Sequence, residues 1–158
     1  MKDDAVIRQE LANMLILRQA HMIFEDAVED FPEHAYNMKP LNLTYSFWHL
    51  LEHIRLCQVD ILEYILKSDY VAPNFPDDYW RDEDTVCTSQ EWQQTIDQYL
   101  ADRQTLVNMV MNPETDLQAQ IPHAQAGHTI AREILIVGQH NAYHLGEFGI
   151  LRQVCDLW

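Results

Sequence analysis

The sequence predicts an all-α protein, a four-helix bundle that forms a single domain over residues 1–158. The first observation behind this prediction is the small number of helix-breaking residues, four Gly and six Pro, which leaves long segments between the prolines. The second is the helical spacing of apolar residues in four of these segments, each of about 20 residues or more. The third is length, since 158 residues suit one domain that can bury a core.

The first helix is predicted over residues 3–29, where apolar side chains recur at helical spacing. Phe31-Pro32 is expected to end it, because proline cannot continue a helix. Residues 31–44 contain a second proline, Pro40, and are predicted to form a long loop. A loop of this length does not require the next helix to be an antiparallel neighbour.

The second helix is predicted from about Ser46 to Lys67, with Thr44 or Ser46 as its N-cap. A long segment, residues 68–88, follows it and contains two prolines, several aromatic residues and a run of acidic residues. We expect this segment to be ordered but irregular and to cover one end of the bundle. The acidic run at 77–84 is expected to be a solvated loop.

The third helix is predicted over Ser89–Met111, and Pro113 ends it. Residues 113–127 are expected to form a loop that leads to the fourth helix. That helix is predicted over Thr129–Val154, a stretch that contains no proline. The predicted bundle therefore has long loops after its first and second helices.

The composition excludes several classes of partner. The formal net charge of −15 argues against nucleic acid and against anionic membrane surfaces, because phosphate groups are bound by clustered Lys and Arg. No apolar stretch approaches the roughly 18 residues of a membrane-spanning helix, and the N-terminus shows no targeting signal. The three cysteines, Cys57, Cys87 and Cys155, show no CxxC spacing, which is typical of free thiols in a reducing compartment. We therefore expect a cytoplasmic protein.

Two histidines on the fourth helix, His140 and His144, are four residues apart and so lie one turn apart on one face. This spacing lets both imidazoles reach one metal ion, and His is the commonest side chain used as a metal ligand. Glu133 and Glu147 share their side of the helix, beside an apolar stripe, as a site inside a bundle requires. Histidine pairs of this kind also occur by chance, and the two glutamates could be partners of histidine N–H groups or ordinary solvated acids.

A third histidine must come from another helix, and the second helix offers His49 and His53, followed by Cys57. All three cannot bind one ion, because steps of four residues rotate by about 40° and rise by about 6 Å. His49 shares its side with Asp60, which predicts a solvent-type face. His53 sits between that face and the core and is therefore the better candidate, although it could also be a histidine that is hydrogen-bonded to a neighbour. Cys57 is more typical of a small buried hydrophobic residue than of a ligand.

Two further histidines and one tryptophan are less strong candidates for the site. His123 follows a proline and could cover the site or be exposed. His128 is expected near the start of the fourth helix. Trp80, like the other three tryptophans, is expected to be a packing residue rather than part of a cofactor site.

The segment His140–Glu147, with the sequence HNAYHLGE, and the LRQ triplet at 151–153 resemble the last helix of the DinB-like (DinB/YfiT) metal-binding four-helix bundles. The family pattern there is a histidine, three residues, then His-x-Gly-Gln and a Leu-Arg pair. The segment Ser46–Arg55, SFWHLLEHIR, is similar to the second helix of the family, where a leucine-rich turn leads to the first ligand. The helix order, loops and length also fit, so the resemblance covers nearly the whole chain.

The resemblance implies an up-down-down-up bundle in which His53, His140 and His144 hold one divalent metal ion, most often zinc or nickel. It also implies a homodimer, and relatives include transferases and isomerases that use low-molecular-weight thiols. Glu147 departs from the family pattern, which usually has glutamine there. An acid at this position could add a fourth ligand or change the charge of the site.

The functional hypothesis is a metal-dependent transferase, using a thiol, or a hydrolase. Three neutral imidazoles leave one coordination position open, which is the mark of a catalytic rather than a structural zinc site. Glu147 is the candidate proton carrier, and is the catalytic residue that the sequence suggests. The alternative is a non-catalytic protein: a metal-binding or stress-related dimer whose ion joins helices 2 and 4, or a bundle without a functional metal.

Overall fold

The computed structural model describes residues 4–124 and 127–158, and the regular elements in these ranges are helices. The α-helices are α1 (Ala5–Ile16), α2 (Phe24–Val28), α3 (Phe47–Leu66), α4 (Ser89–Met111) and α5 (Ile130–Val154). Short 3-10 helices lie in the connections at Glu33–Ala35, Pro40–Asn42 and Asp77–Tyr79. The predicted all-α class is therefore confirmed.

The four longer helices pack as a bundle. The helix α3 contacts both α4 and α5, and α1 contacts the same two helices. Each long helix thus has two neighbours, and the short α2 packs against α5. The up-down-down-up order of chain directions stays a prediction. None of the helices in the described part is long and apolar enough to cross a membrane.

The prediction of one first helix over residues 3–29 is wrong, and its predicted start at residue 3 lies outside the described residues. The helix α1 ends at Ile16, and α2 begins only after Ile23, which is extended and donates its N–H to Asp26 Oδ2 over 3.2 Å. The break lets Phe24 turn into the core and stack on Tyr99 at a centroid distance of 3.8 Å. Tertiary burial of this ring therefore overrides a local pattern that is helical throughout.

The other three helices are confirmed to within one residue at each end. Ser46, Thr88 and Thr129 are their N-caps, and each side-chain oxygen accepts the backbone N–H of the third residue beyond it. Of the two candidate caps of α3, the structure thus uses Ser46. The predicted loop at 113–127 is also present, except that residues 125–126 lie outside the described ranges.

Aromatic rings fill the part of the core between α3 and α5. Phe31 lies 4.9 Å from Phe47, 5.1 Å from Trp92 and 5.4 Å from Phe148, measured between ring centroids. Phe47 of α3 also meets Phe148 of α5 edge to face at 5.3 Å. These contacts bury large apolar areas at the place where α3 and α5 pack, and so they fix the relative position of the two helices.

Replacing Phe148 by alanine should lower the free energy of unfolding by about 3–5 kcal/mol, because a fully buried ring leaves a cavity. Urea denaturation of the purified variant measures this change. Ile150→Ala is the matched control on the same helix, since Ile150 is 64% exposed and its truncation should cost less than about 0.5 kcal/mol. Equal losses in the two variants would contradict the packing of α5 described above.

Candidate metal centre

Three histidine side chains from two helices lie close together around His53. His53 of α3 directs its Nε2 atom toward α5, where it lies 3.2 Å from Nε2 of His140 and 3.2 Å from Nε2 of His144. The ring of His53 is 5.1 Å from that of His140 and 4.6 Å from that of His144, between centroids. The packing of α3 against α5 therefore brings together the three histidines that the sequence singles out.

The hydrogen-bond partners of two of these rings determine which nitrogen carries the hydrogen. His53 Nδ1 lies 2.8 Å from the backbone oxygen of Tyr79, and His144 Nδ1 lies 2.8 Å from Glu147 Oε2. A carbonyl and an ionised carboxylate only accept hydrogen bonds, so each Nδ1 must be the donor. In the neutral imidazole the other nitrogen, Nε2, then carries a free lone pair.

Glu147 is held in the ionised form by its neighbours. Burial acts to raise the pKa of this carboxyl, but hydrogen bonds from His144 and from the Tyr45 hydroxyl outweigh it, so the pKa lies below its ordinary value. The carboxylate can therefore accept both hydrogen bonds at neutral pH. The Tyr45 hydroxyl stays protonated, because burial and the bond to Glu147 raise its pKa.

The arrangement of the Nε2 atoms fits a divalent cation. When both rings are neutral, the Nε2 lone pairs of His53 and His144 lie 3.2 Å apart and repel unless a positive charge lies between them. Zinc–nitrogen bonds of 2.0–2.1 Å place two tetrahedral nitrogen ligands about 3.3 Å apart, which is close to the separation seen here. The donor set and its spacing thus both suit a metal ion that binds imidazole.

Burial keeps the imidazoles of His53 and His140 neutral, which is the form that binds metal. His53 is 5% exposed, and burial lowers its pKa, with the proximity of His144 acting in the same direction. Burial, together with the neighbouring His144 and His53, lowers the pKa of His140 from 6.5 to about 4. Protons therefore compete weakly for these ligands at neutral pH.

One short segment of the long loop, Tyr79–Arg81, lies against His53, and we call it the strap. Tyr79 supplies the backbone oxygen that accepts from His53 Nδ1. The ring of Trp80 stacks on the His53 ring at a centroid distance of 3.9 Å and an interplanar angle of 8°. Arg81 donates to Glu52 Oε2 over 3.3 Å. The expectation of a purely solvated acidic run is thus only partly right: its acidic side chains are exposed, but Tyr79 and Trp80 pack on the site.

Cys57 is a further donor close to His53. Its Sγ atom lies 3.7 Å from Nδ1 and 3.8 Å from Nε2 of His53, and ligand atoms of His53, Cys57 and His140 all lie within 4.8 Å of one another. Because Sγ is nearly equidistant from both ring nitrogens, it lies off the direction of the Nε2 lone pair. Burial also raises the pKa of the thiol to about 12. His144 is therefore the better directed third donor.

His49 occupies a different place from the one expected. It is 1% exposed rather than on a solvent-type face, and Thr85 of the loop lies against it. Its Nε2 donates to the Thr85 oxygen over 2.8 Å, and its Nδ1 accepts the Ser46 N–H over 3.3 Å. Both ring nitrogens therefore have protein partners, and neither faces the three-histidine cluster.

The remaining candidates also have partners of their own. Glu133 is buried and pairs with Arg132 at 2.5 Å and with His128 at 3.4 Å, although it shares a side of α5 with His140. His123 Nε2 donates to the backbone oxygen of Tyr64 over 2.6 Å. These contacts satisfy the side chains without the three-histidine cluster.

Two contacts of the site escaped the sequence analysis. Tyr45, which donates to Glu147, precedes the cap of α3 and carries no spacing signal. The Tyr79 backbone oxygen could not be found from sequence, because every residue has one. Asp60, interpreted as a solvated acid, accepts from the hydroxyls of both Tyr70 and Tyr79.

The site is reached from the surface on the α5 side. The side chain of His144 is 12% exposed, and that of Glu147 is 25% exposed. A shallow and mainly apolar cavity of about 470 Å³ adjoins Glu147 and is lined by Tyr143, Gly146, Ile150 and Leu151. A small molecule could therefore lie beside Glu147.

Comparison with known proteins gives one match. The sequence profile described as the DinB superfamily matches residues 16–148, a span that includes all three histidines, Glu147 and the strap. No curated protein and no solved structure matches the chain.

In the metal-free protein, the NMR signal of the His140 ring should titrate with a midpoint near pH 4, because burial and two neighbouring imidazoles disfavour its charged form. Since the unfolded chain takes up this proton at a pH of about 6.5, the free energy of unfolding should fall as the pH drops from there toward the folded value. His140→Asn should weaken that dependence. A His140 midpoint near 6.5 would contradict the packed cluster.

Proposed function

The chain belongs to the DinB superfamily, and on that premise we propose that it binds one divalent metal ion through the Nε2 atoms of His53, His140 and His144. We further propose that the centre serves a metal-dependent transferase, with a low-molecular-weight thiol as cosubstrate, or a hydrolase. The observation that carries the proposal is the proximity of three imidazole nitrogens: Nε2 of His53 lies 3.2 Å from Nε2 of His140 and 3.2 Å from Nε2 of His144.

The donor set limits the metals that the site would bind. Three neutral imidazole nitrogens suit zinc and nickel, and they also suit copper and iron, whereas magnesium and calcium prefer oxygen ligands. The family resemblance favours zinc or nickel. We therefore take zinc or nickel as the proposed ion and leave the choice between them to metal analysis.

The open side of the cluster supports a catalytic role. When bound, a divalent ion with one position free of protein ligands supplies Lewis-acid polarisation and lowers the pKa of a thiol or water there. Glu147, ionised and 25% exposed, would accept the proton that an incoming thiol releases. The sulfur would then form a bond to the electrophilic carbon, and the leaving group would depart with its electron pair. The cavity beside Glu147 offers a place for the electrophile.

A second candidate function rests on Cys57. If its thiol became a fourth ligand, the centre would be closed, as in structural zinc sites, and the ion would serve only to join α3 to α5. The protein would then be a non-catalytic metal-binding protein of structural or stress-related function. The off-axis position of Sγ disfavours this candidate but leaves it testable.

Two further properties rest on the sequence alone. The family resemblance predicts a homodimer, and the cysteine pattern predicts a cytoplasmic location. Both stay predictions, as does the absence of nucleic acid and membrane partners that the charge of −15 implies.

Protein purified without a histidine tag should contain about one zinc or nickel ion per chain. His53→Ala, His140→Ala and His144→Ala should each lose the metal, because each removes one of three ligands. His49→Ala is the control and should keep it, since His49 bonds to Thr85 and Ser46 instead. Elemental analysis measures the content, and zinc at about 100 times its Kd should raise the free energy of unfolding by about 2.7 kcal/mol. A wild-type chain that binds no metal after reconstitution would end the proposal.

The metal-loaded protein should transfer a thiol to a model electrophile or hydrolyse a model ester, and His53→Ala should be inactive. Cys57→Ala should keep both the metal and the activity, because the proposed open site does not use the thiol. A panel of thiols and electrophiles, followed by absorbance, measures turnover. Background rates in the fully loaded wild type, together with loss of metal in Cys57→Ala, would favour the closed, non-catalytic site.

A further inference from the structure

A single carboxylate outside the histidine cluster ties two points of the long loop to α3. Asp60 lies about two turns beyond His53 on the same helix. Its Oδ1 accepts from the Tyr70 hydroxyl over 2.6 Å, and its Oδ2 accepts from the Tyr79 hydroxyl over 2.8 Å. Both carboxylate oxygens are thus used on the loop. Burial and the bonds to Asp60 raise the pKa of both tyrosines, so the hydroxyls remain donors.

The strap, which begins at Tyr79, is the part of this loop that contacts His53. Its backbone oxygen at Tyr79 accepts from His53 Nδ1 over 2.8 Å, and Trp80 stacks on the His53 ring. Tyr79 thus makes two contacts with α3: its hydroxyl donates to Asp60, and its backbone oxygen accepts from His53. The position of Tyr79 against α3 therefore sets both the hydrogen bond that His53 makes and the stacking of Trp80 on its ring.

The other end of the strap is held by a second carboxylate of α3. Arg81 donates to Glu52, which immediately precedes His53. Glu52 also accepts from Arg55 and from Thr95 of α4, so it belongs to the buried contact between α3 and α4. Removing Glu52 would disturb that contact as well as the strap. Asp60, by contrast, bonds to loop tyrosines, and it therefore gives the cleaner test.

We propose that Asp60 is a positioning residue for the metal centre, because it holds the strap on α3 and thereby orients the His53 ring with Nδ1 protonated and Nε2 directed at His140 and His144. This inference rests on the proposed metal-binding function. If the strap moved away, His53 would lose the acceptor at Nδ1, and the tautomer with hydrogen on Nε2 would no longer be disfavoured. That hydrogen would point to the place where the ion binds. Outer contacts of this kind typically change metal affinity by about 10- to 100-fold.

The test compares zinc affinity among matched variants, by competition with a chromophoric chelator. Asp60→Ala, and the pair Tyr70→Phe with Tyr79→Phe, should each weaken zinc binding by about 10-fold. A variant with all three substitutions should bind zinc no more weakly than Asp60→Ala or the Phe pair alone, because both remove the same hydrogen bonds. The Phe pair keeps the rings and the Tyr79 backbone oxygen, and so it tests the inference even if Asp60→Ala folds poorly.

Glu63→Ala is the matched control for charge. It removes one negative charge from the same helix, but Glu63 pairs with Lys67 at the surface, 2.7 Å apart, and not with the strap. Its effect on zinc affinity should stay within about twofold. An equal loss in Glu63→Ala and Asp60→Ala would assign the effect to net charge and overturn the proposal.

A second readout uses the metal-free protein. The ¹⁵N shifts of the His53 ring should show hydrogen on Nδ1 in the wild type, and this preference should be lost in Asp60→Ala and in the Phe pair. If the wild type binds zinc and these variants show the same ring shifts or the same zinc affinity, the role of Asp60 is overturned. A wild type that binds no zinc would instead refute the proposed function, while the ring shifts would still decide whether Asp60 positions His53.

Discussion

The packing of α3 against α5 is the interaction on which the rest of this structure depends. Phe47 of α3 meets Phe148 of α5 in the core, and Leu50 and Ile54 are fully buried in the same apolar cluster. With the helices fixed in this way, His53 faces the two histidines of α5. An imidazole reaches only a few ångströms from its backbone, so the cluster exists because apolar packing places the two helices in this register.

The site illustrates how a buried group depends on partners from outside its own helix. A neutral imidazole in the core needs a hydrogen-bond acceptor at one nitrogen if the other is to serve as a ligand. His53 finds its acceptor in the loop, at the Tyr79 backbone, and His144 finds one on its own helix, at Glu147. Glu147 accepts the hydrogen bond from His144 Nδ1 and so orients that ring with its Nε2 toward His53.

Most of the fold and the histidines of the candidate site could be predicted from sequence, but the loop contacts around them could not. The helices α3, α4 and α5 have strong apolar periodicity and clear N-caps, and their predicted bounds are correct within a residue. The prediction of the first helix was wrong because the apolar periodicity continues through the break after Ile16. The burial of Phe24 against Tyr99 explains that break. His49 was placed on the wrong side because a helical wheel cannot show a loop, here at Thr85, that covers an outward face.

The sequence by itself determined that this chain is all-helical and that His140 and His144 share one face of a helix, and it favoured His53 over His49 as their partner on α3. Those statements depend on local periodicity, which the chain carries residue by residue. Only the tertiary structure decided that the Nε2 atoms of His140 and His144 each lie 3.2 Å from that of His53, that the strap contacts His53, and that Asp60 accepts a hydrogen bond from the strap. Such contacts join residues far apart in the chain through backbone atoms and loop geometry, and these leave no periodic signal in the sequence.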